Sequence, residues 1–524
     1  MSASARPVDA PPVAGWASRL RSAPVNRALP LEVLAPVLAI TLIAKLGAFL
    51  PGYAVDDYSL AAGDSRVPFE ALLAQGRFGQ AVLLEILARI GLLPHYTRFF
   101  FVALAMLVTA ICATLVVRLW RVDSPRVAVA GAALIAIHPF TTEIFTFRTA
   151  LGIHAIAFLL LIPLLVPRQW TWRALSAATL AFALVLSIYQ IVLQYLLMVV
   201  IVGLAIEIAS EMRREPGSRF RLPFRDRFLA LAGISLAGTA LYLVINAALL
   251  RFYHVTMIRR GRLLEPGAVV TRLHDVWTTL RYRYLEPNPM TGATMRTLLL
   301  ALLAAAVLGL VLKWRRQPLA RTLPRLAAVF TLLILGALWT ITLPAIVEFF
   351  WPVPRSMAHV AILWGGVLVI ACSAWGVRMQ RALGVLAALI LLGFIGTDNR
   401  ILADQQRLNL RDLALANRLV ARLEATPGFT PAAEVAIVGL QYAYPLPLAT
   451  SDLDMNSSAF GANWSNLAIL REVSGYNLQD PGATRTAAAA DRCRAVAPWP
   501  ASSAVTVENG LVIICFNTPP PATP

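Results

Sequence analysis

Charge is what this chain has least of. Asp, Glu, Lys and Arg together make up 14% of its 524 residues, while 58% are hydrophobic. Soluble domains carry about a quarter charged residues, so this deficit excludes an ordinary soluble fold and implies a polytopic membrane protein. Lysine is nearly missing: Lys45 and Lys313 are the two, and arginine supplies the remaining basic residues. With 28 acids the formal net charge is +18. In a soluble protein that balance would suggest nucleic acid, but in a membrane protein it marks cytoplasmic loops and anionic headgroups. Cysteine is equally sparse. Cys112 and Cys372 sit inside apolar runs and read as packing residues, and no CxxC or Cys/His metal spacing occurs. Cys493 and Cys515 lie in the polar C-terminal region, where a bridge between them would require an oxidising compartment. P-loop, Rossmann, HExxH, GxSxG and EF-hand spacings are all missing, and the acids, "GLAIEIASE" included, form no metal cage.

What the chain does have is apolar runs of spanning length, about 20 residues each. They fall at 31–50, 99–117, 127–143, 150–167, 174–190, 190–209, 228–250, 297–312, 326–343, 359–377 and 383–397, about eleven in all. Residues 1–30, rich in Pro, Ala and Arg, read as a disordered cytoplasmic tail. The polar lead before the first run is long and no small-residue cleavage site follows, so that run reads as a retained helix. Lys and Arg in short loops set the orientation. With the N-terminus in the cytoplasm, "RLWRVDSPR", "PRQWTWR", "RREPGSRFRLPFRDR", "KWRRQPLARTLPR" and "RMQR" all lie inside. The loops 51–98, 144–149, 251–296 and 344–358, and everything after 398, then lie outside. The loop 251–296, with eight Arg, breaks the charge rule. Its plain reading is a headgroup-binding face; its sharper one is an electropositive mouth for phosphate-bearing lipids, with Arg281, Tyr282, Arg283 and Tyr284 pairing phosphate and stacking on sugar.

The region 398–524 reads as a small α/β domain. "LADQQRLNLRDLALANRLVARLEA" has helical apolar spacing, and "AEVAIVGL" reads as a buried strand. "AVTVENGLVIICF" reads as two strands around Asn509-Gly510, a strong hairpin signal. A Cys493–Cys515 bridge would staple that hairpin.

Acids are scarce, yet Asp56 and Asp57 stand side by side where the first apolar run meets water. They could be no more than solvated acids at a helix end. Against that, "LLAQGRFGQAVLLEILARIG" follows as an amphipathic segment suited to the interface. "HPFTTEIFTFR" at 138–148 places Glu143 and Arg148 at the outer end of a helix, either as a local ion pair or as ligands; His138 before Pro139 reads as a cap. Tyr189 and Gln190 form a polar pair between two apolar helices, facing protein or a cavity rather than lipid. Arg355 is the one basic residue of "EFFWPVPRSMAH", a loop stiffened by Pro352 and Pro354, with His359 nearby.

In their order and side, "DDY" (56–58), "QGRFG" (75–79), "HPFTTEIFTFR", "SIYQ" (187–190) and "VPRSMAH" (353–359) resemble the GT-C superfamily of polytopic glycosyltransferases. Within it they resemble the bacterial Gtr-type (type II) O-antigen glucosyltransferases, over roughly 350 residues. One departure is Leu60, where the family often has Arg; Arg66 and Arg77 are the alternatives for that phosphate contact. The resemblance implies transfer of a hexose, glucose by preference, from a polyprenyl phosphate to a glycan acceptor such as O-antigen. It implies a multi-pass enzyme of the bacterial cytoplasmic membrane acting at the periplasmic face. Some members use a divalent ion and others none, so the resemblance by itself calls for no cofactor and leaves a divalent metal open. The acceptor hydroxyl needs a base, and the departing phosphate needs cations. Asp56 aligns with the superfamily's first acid and is assigned as base, with Asp57 as its alternate or orienting partner. Arg77, Glu143, Arg148, Tyr189, Gln190, Arg281, Arg283, Arg355 and His359 are the substrate-binding set. A flippase would place ionisable residues deep in mid-helix, and an O-antigen polymerase or ligase would carry a large late outer loop. This chain puts its extra mass at the C-terminus instead.

Overall fold

The computed structural model describes residues 30–50, 52–61, 69–166, 170–211, 225–315, 317–439 and 450–516. The tail through Leu29, Arg66 and the basic segment "RREPGSRFRLPF" lie outside the described residues.

In lipid every backbone N–H and C=O must find a partner within the protein, so long apolar segments become helices. Eight described helices are long and apolar enough to cross a membrane. A ninth span arises if Pro125–Ala136 and Pro139–Thr146, bent by 45° at their junction, count as one. Two further apolar helices are shorter, Trp172–Ile188 at 17 residues and Val360–Ala374 at 15. The eleven expected runs therefore divide into eight single helices of membrane length, one bent pair and two shorter helices. The bend has a local cause. Pro139 has no N–H to continue the preceding helix, and His138 caps the new one, its Nδ1 accepting from Phe140 N at 3.2 Å. The near-loopless turn at Tyr189 is an extended residue between helices ending at Ile188 and starting at Ile191.

The last apolar run and the amphipathic segment after it are one helix, Val377–Glu424, of 48 residues. At 1.5 Å per residue it is about 72 Å long, and residue 398 lies inside it without a break. Changing from an all-apolar to a one-sided pattern alters what the helix faces, not its backbone. Its distal part packs Ala416, Leu419 and Leu423 into one core with Val435, Val512 and Ile514.

That core holds a three-stranded sheet of β1 (Glu434–Val438), β2 (Val505–Glu508) and β3 (Leu511–Cys515), in the order β1-β3-β2. β1 runs parallel to β3 and β2 antiparallel to it. Asn509 and Gly510 both have positive φ, 51° and 75°, as a two-residue type I′ turn demands. Cys493, on the helix Gly482–Ala495, is disulfide-bonded to Cys515 on β3, while Cys112 and Cys372 are free and buried. Tyr58, from the short helix Val55–Ala61, belongs to this same C-terminal core, with Tyr53 packed against it. The acid-pair segment is thus clamped between the membrane helices and the C-terminal domain.

Candidate active site

Neighbouring residues on a helix point about 100° apart, and that rotation separates the two acids. Asp57 turns inward and is 1% exposed. Its Oδ2 accepts from Ala54 N at 3.0 Å and Arg148 N at 2.8 Å, and its Oδ1 from Thr149 N at 3.1 Å. It therefore supplies acceptors to the otherwise unpaired N–H groups that begin the helix Arg148–Leu165. Burial pushes the Asp57 carboxyl above its ordinary range, the three N–H donors pull it back, and Asp56 adds to the upward push. Asp56 turns outward and is exposed. Its Oδ1 accepts from the indole N–H of Trp464 at 3.0 Å.

Arg355 lies in a single turn, Pro354–Met357, behind Pro352. Both its backbone N–H and its Nη1 donate to the fully buried carboxylate of Glu143. Its Nη2 donates to Asp454 Oδ2 at 2.5 Å, and the guanidinium sits 4.3 Å from the Phe147 ring centre. Burial alone would lower the Arg355 pKa, but Glu143 and Asp454 outweigh it and hold the group firmly protonated. The local Glu143–Arg148 ion pair weighed from the sequence does not form. Arg148 instead donates to Gly52 O at 2.6 Å and His95 O at 3.2 Å, and stacks 3.7 Å from the Tyr53 ring centre. Phe147 and Arg148 join the two parts of the site, one beneath Arg355 and the other on Asp57.

"QGRFG" and "SIYQ" build a third wall together. Gly76 adopts φ +74°, and its carbonyl accepts from Gln190 Nε2 at 3.0 Å and Tyr242 OH at 2.8 Å. A Cβ on Gly79 would lie 2.0 Å from Ser187 Oγ, so glycine there lets the two segments touch. The turn they fix presents Arg77, half-buried, toward Tyr189, Arg355 and Arg260. Burial lowers the Arg77 pKa. Among the described residues the Arg77 guanidinium has no hydrogen-bonding or ion-pair partner, while its backbone N–H donates to Leu72 O. Tyr189, Arg355 and His359 line one pocket with Thr141, His154 and Tyr195. His359 is buried, its Nε2 3.2 Å from Trp339 O and its Nδ1 without a partner among the described residues.

The arginines of loop 251–296 mostly tie it to loop 344–358. Arg259 and Arg262 pair with Glu348 at 2.6 and 3.1 Å, and Arg272 donates to carbonyls of Pro344, Ala345, Val347 and Glu348. Arg281 pairs at the surface with Glu286 at 2.7 Å. Arg283 is buried, bridged to Asp452 and donating to Pro352 O at 3.1 Å. Tyr284 OH is 3.0 Å from Thr340 Oγ1.

Asp452, Asp454 and Trp464 come from the C-terminal region and were not singled out from the sequence. The legible trace was "DLD", two acids at spacing two in an acid-poor chain. Among the described residues no group of three or more His, Cys, Asp or Glu is placed to hold a metal ion.

A bundle of apolar helices with a buried, charge-paired site and an exposed carboxylate at one end defines a polytopic membrane protein with a polar centre at its mouth. The chain belongs to the family described as glucosyl transferase GtrII, whose model matches residues 49–371, more than half of it. It is accordingly a membrane glycosyltransferase of the GT-C type. No curated protein and no solved structure matches it.

Proposed function

We propose that this glycosyltransferase moves a hexose, glucose by preference, from a polyprenyl-phosphate donor to a glycan acceptor, O-antigen or another surface polysaccharide. The reaction takes place at the periplasmic face of a bacterial cytoplasmic membrane. The chain crosses eleven times with its N-terminus in the cytoplasm, and residues 398–524 stand outside. The basic short loops and the Cys493–Cys515 bridge support that topology.

Asp56 removes the acceptor hydroxyl proton as that oxygen attacks the anomeric carbon. The bond from that carbon to phosphate oxygen breaks, and polyprenyl phosphate departs with the electron pair. One displacement needs one base, so the anomeric centre inverts. Asp57 fixes the turn that carries Asp56. Arg77 meets the departing phosphate, and Tyr189 and His359 line the sugar pocket. Gln190 positions Arg77 by holding the Gly76 turn. Arg355 and Glu143 form the pocket floor, while Arg148, Arg281 and Arg283 hold the surrounding loops.

One observation carries this reading. A half-buried guanidinium costs free energy unless a counter-charge joins it, and Arg77 has none among the described residues. An anionic ligand supplies one. The experiment incubates purified protein with a panel of polyprenyl-phosphate hexoses and source-strain lipopolysaccharide. Consumption of one donor, lost in Asp56→Asn, is expected; no consumption of any donor would overturn the assignment.

A further inference from the structure

Trp464 lies beyond the stretch that matches the family and has no role in the chemistry above. It is 58% exposed, a large apolar face left in water beside the carboxylate assigned as base. Its indole N–H donates to Asp56 Oδ1 at 3.0 Å, and Oδ2 is the oxygen that faces no protein donor among the described residues. The loop under it is pinned. Asp412 accepts from Ser458 Oγ and Ala459 N, both at 2.7 Å, and Ser465 Oγ donates to Ala459 O at 2.6 Å. Phe460 is fully buried, and the helix Asn466–Ser474 begins two residues after the tryptophan.

We infer that Trp464 is the stacking platform for the acceptor sugar, an inference that rests on the proposed function. A hydroxyl that gives its proton to Asp56 must approach within about 2.6–3.2 Å of that carboxylate. The indole already stands at that distance, so a pyranose ring reaching Oδ2 lies against it. One face of a pyranose is a patch of C–H groups, which a flat indole covers. Its hydroxyl edge then turns to the carboxylate. A rigid, amphipathic side chain of this kind gives contact area at low entropic cost. The C-terminal domain, through this one residue, thereby selects which sugar of the acceptor is presented to the base.

The test measures binding without turnover, using the full-length protein in detergent and saturation-transfer NMR. The probe is the oligosaccharide released from source-strain lipopolysaccharide. Wild type should bind it, Trp464→Phe should stay within threefold, and Trp464→Ala should bind at least tenfold more weakly. Trp464→Leu keeps apolar bulk without the flat face and should match alanine. Binding unchanged in Trp464→Ala, or no binding by wild type, would overturn the inference. If the variants rank as expected but no polyprenyl-phosphate hexose is consumed, the platform stands and the assigned donor reaction falls.

Discussion

Replacing each member of the acid pair by asparagine separates chemistry from scaffold. At Asp57 the carboxylate takes three N–H donors on two oxygens. An amide offers one oxygen, and its NH2 must then face at least one of those N–H groups. A hydrogen bond to a charged group contributes about 1.5–3 kcal/mol, and an unsatisfied buried donor costs about 1–3 kcal/mol more. The expected loss for Asp57→Asn is therefore about 3 kcal/mol, concentrated where the helix Arg148–Leu165 starts. A thermal scan in detergent should show a fall of several degrees, given roughly 2–4 °C per kcal/mol for domains of 150–250 residues. Asp56→Asn keeps an oxygen for the Trp464 indole and stays solvated, so its stability should lie within about 0.5 kcal/mol of wild type. Its transfer rate should fall 10²-fold or more, the usual effect of losing a general base. Asp56 is not the base if Asp56→Asn retains more than about a tenth of the activity. An Asp57→Asn variant that melts like wild type yet is inactive would exchange the two roles.

Arg77→Ala should leave the melting temperature unchanged or slightly raised, because no internal partner is lost, while the apparent donor affinity in the transfer assay falls about tenfold; unchanged affinity would remove Arg77 from the phosphate site. Arg355→Ala leaves buried Glu143 without its cation and should cost about 3–5 kcal/mol, the usual effect of breaking a buried pair, with Arg355→Lys intermediate; a thermal scan decides it. Non-reducing mass spectrometry should find Cys493 and Cys515 linked with Cys112 and Cys372 free, and Cys493→Ser with Cys515→Ser should lower stability by roughly 3 kcal/mol, as expected for a loop of about 20 residues.

What could be read from the sequence followed from how local each signal is. Apolar runs, the Asn509-Gly510 turn and the helix of 402–424 depend on neighbours a few residues away, and each has its structural counterpart. The break at Tyr189-Gln190 was legible because a polar pair interrupts two apolar runs. The two shorter helices read as runs of spanning length because composition marks an apolar run and says little about where its helix ends. Helix continuity through residue 398 was hidden for a related reason, since the pattern changes there while the helix does not. Pairings across the chain were beyond reach. Glu143 meets Arg355 at a separation of 212 residues, and Arg355 meets Asp454 at 99. Nothing local to Glu143 distinguishes that partner from Arg148, five residues on.

These long-range pairs also decide which cation is available to a ligand. Arg355 already has two carboxylates, Arg283 has Asp452, and Lys45 has Asp398. A phosphate approaching Arg355 would have to displace Asp454 or bring a third anion beside two others, and like charges at such range repel. Arg77 asks for no such exchange, because its neighbours Arg355 and Arg260 are cations and its turn is held by Gln190 and Tyr242. Of these four cations Arg77 is the least satisfied among the described residues, and in the proposed function it takes the anion with Arg355 as its wall. Asp452, Asp454 and Trp464 all arrive from the C-terminal domain and touch Arg283, Arg355 and Asp56 in turn. The membrane helices alone would leave Arg283 buried without its carboxylate, Arg355 with one of its two, and Asp56 without its indole. On that account the C-terminal domain is part of the site's electrostatics, and the chain works as one unit across the boundary its sequence suggests at residue 398.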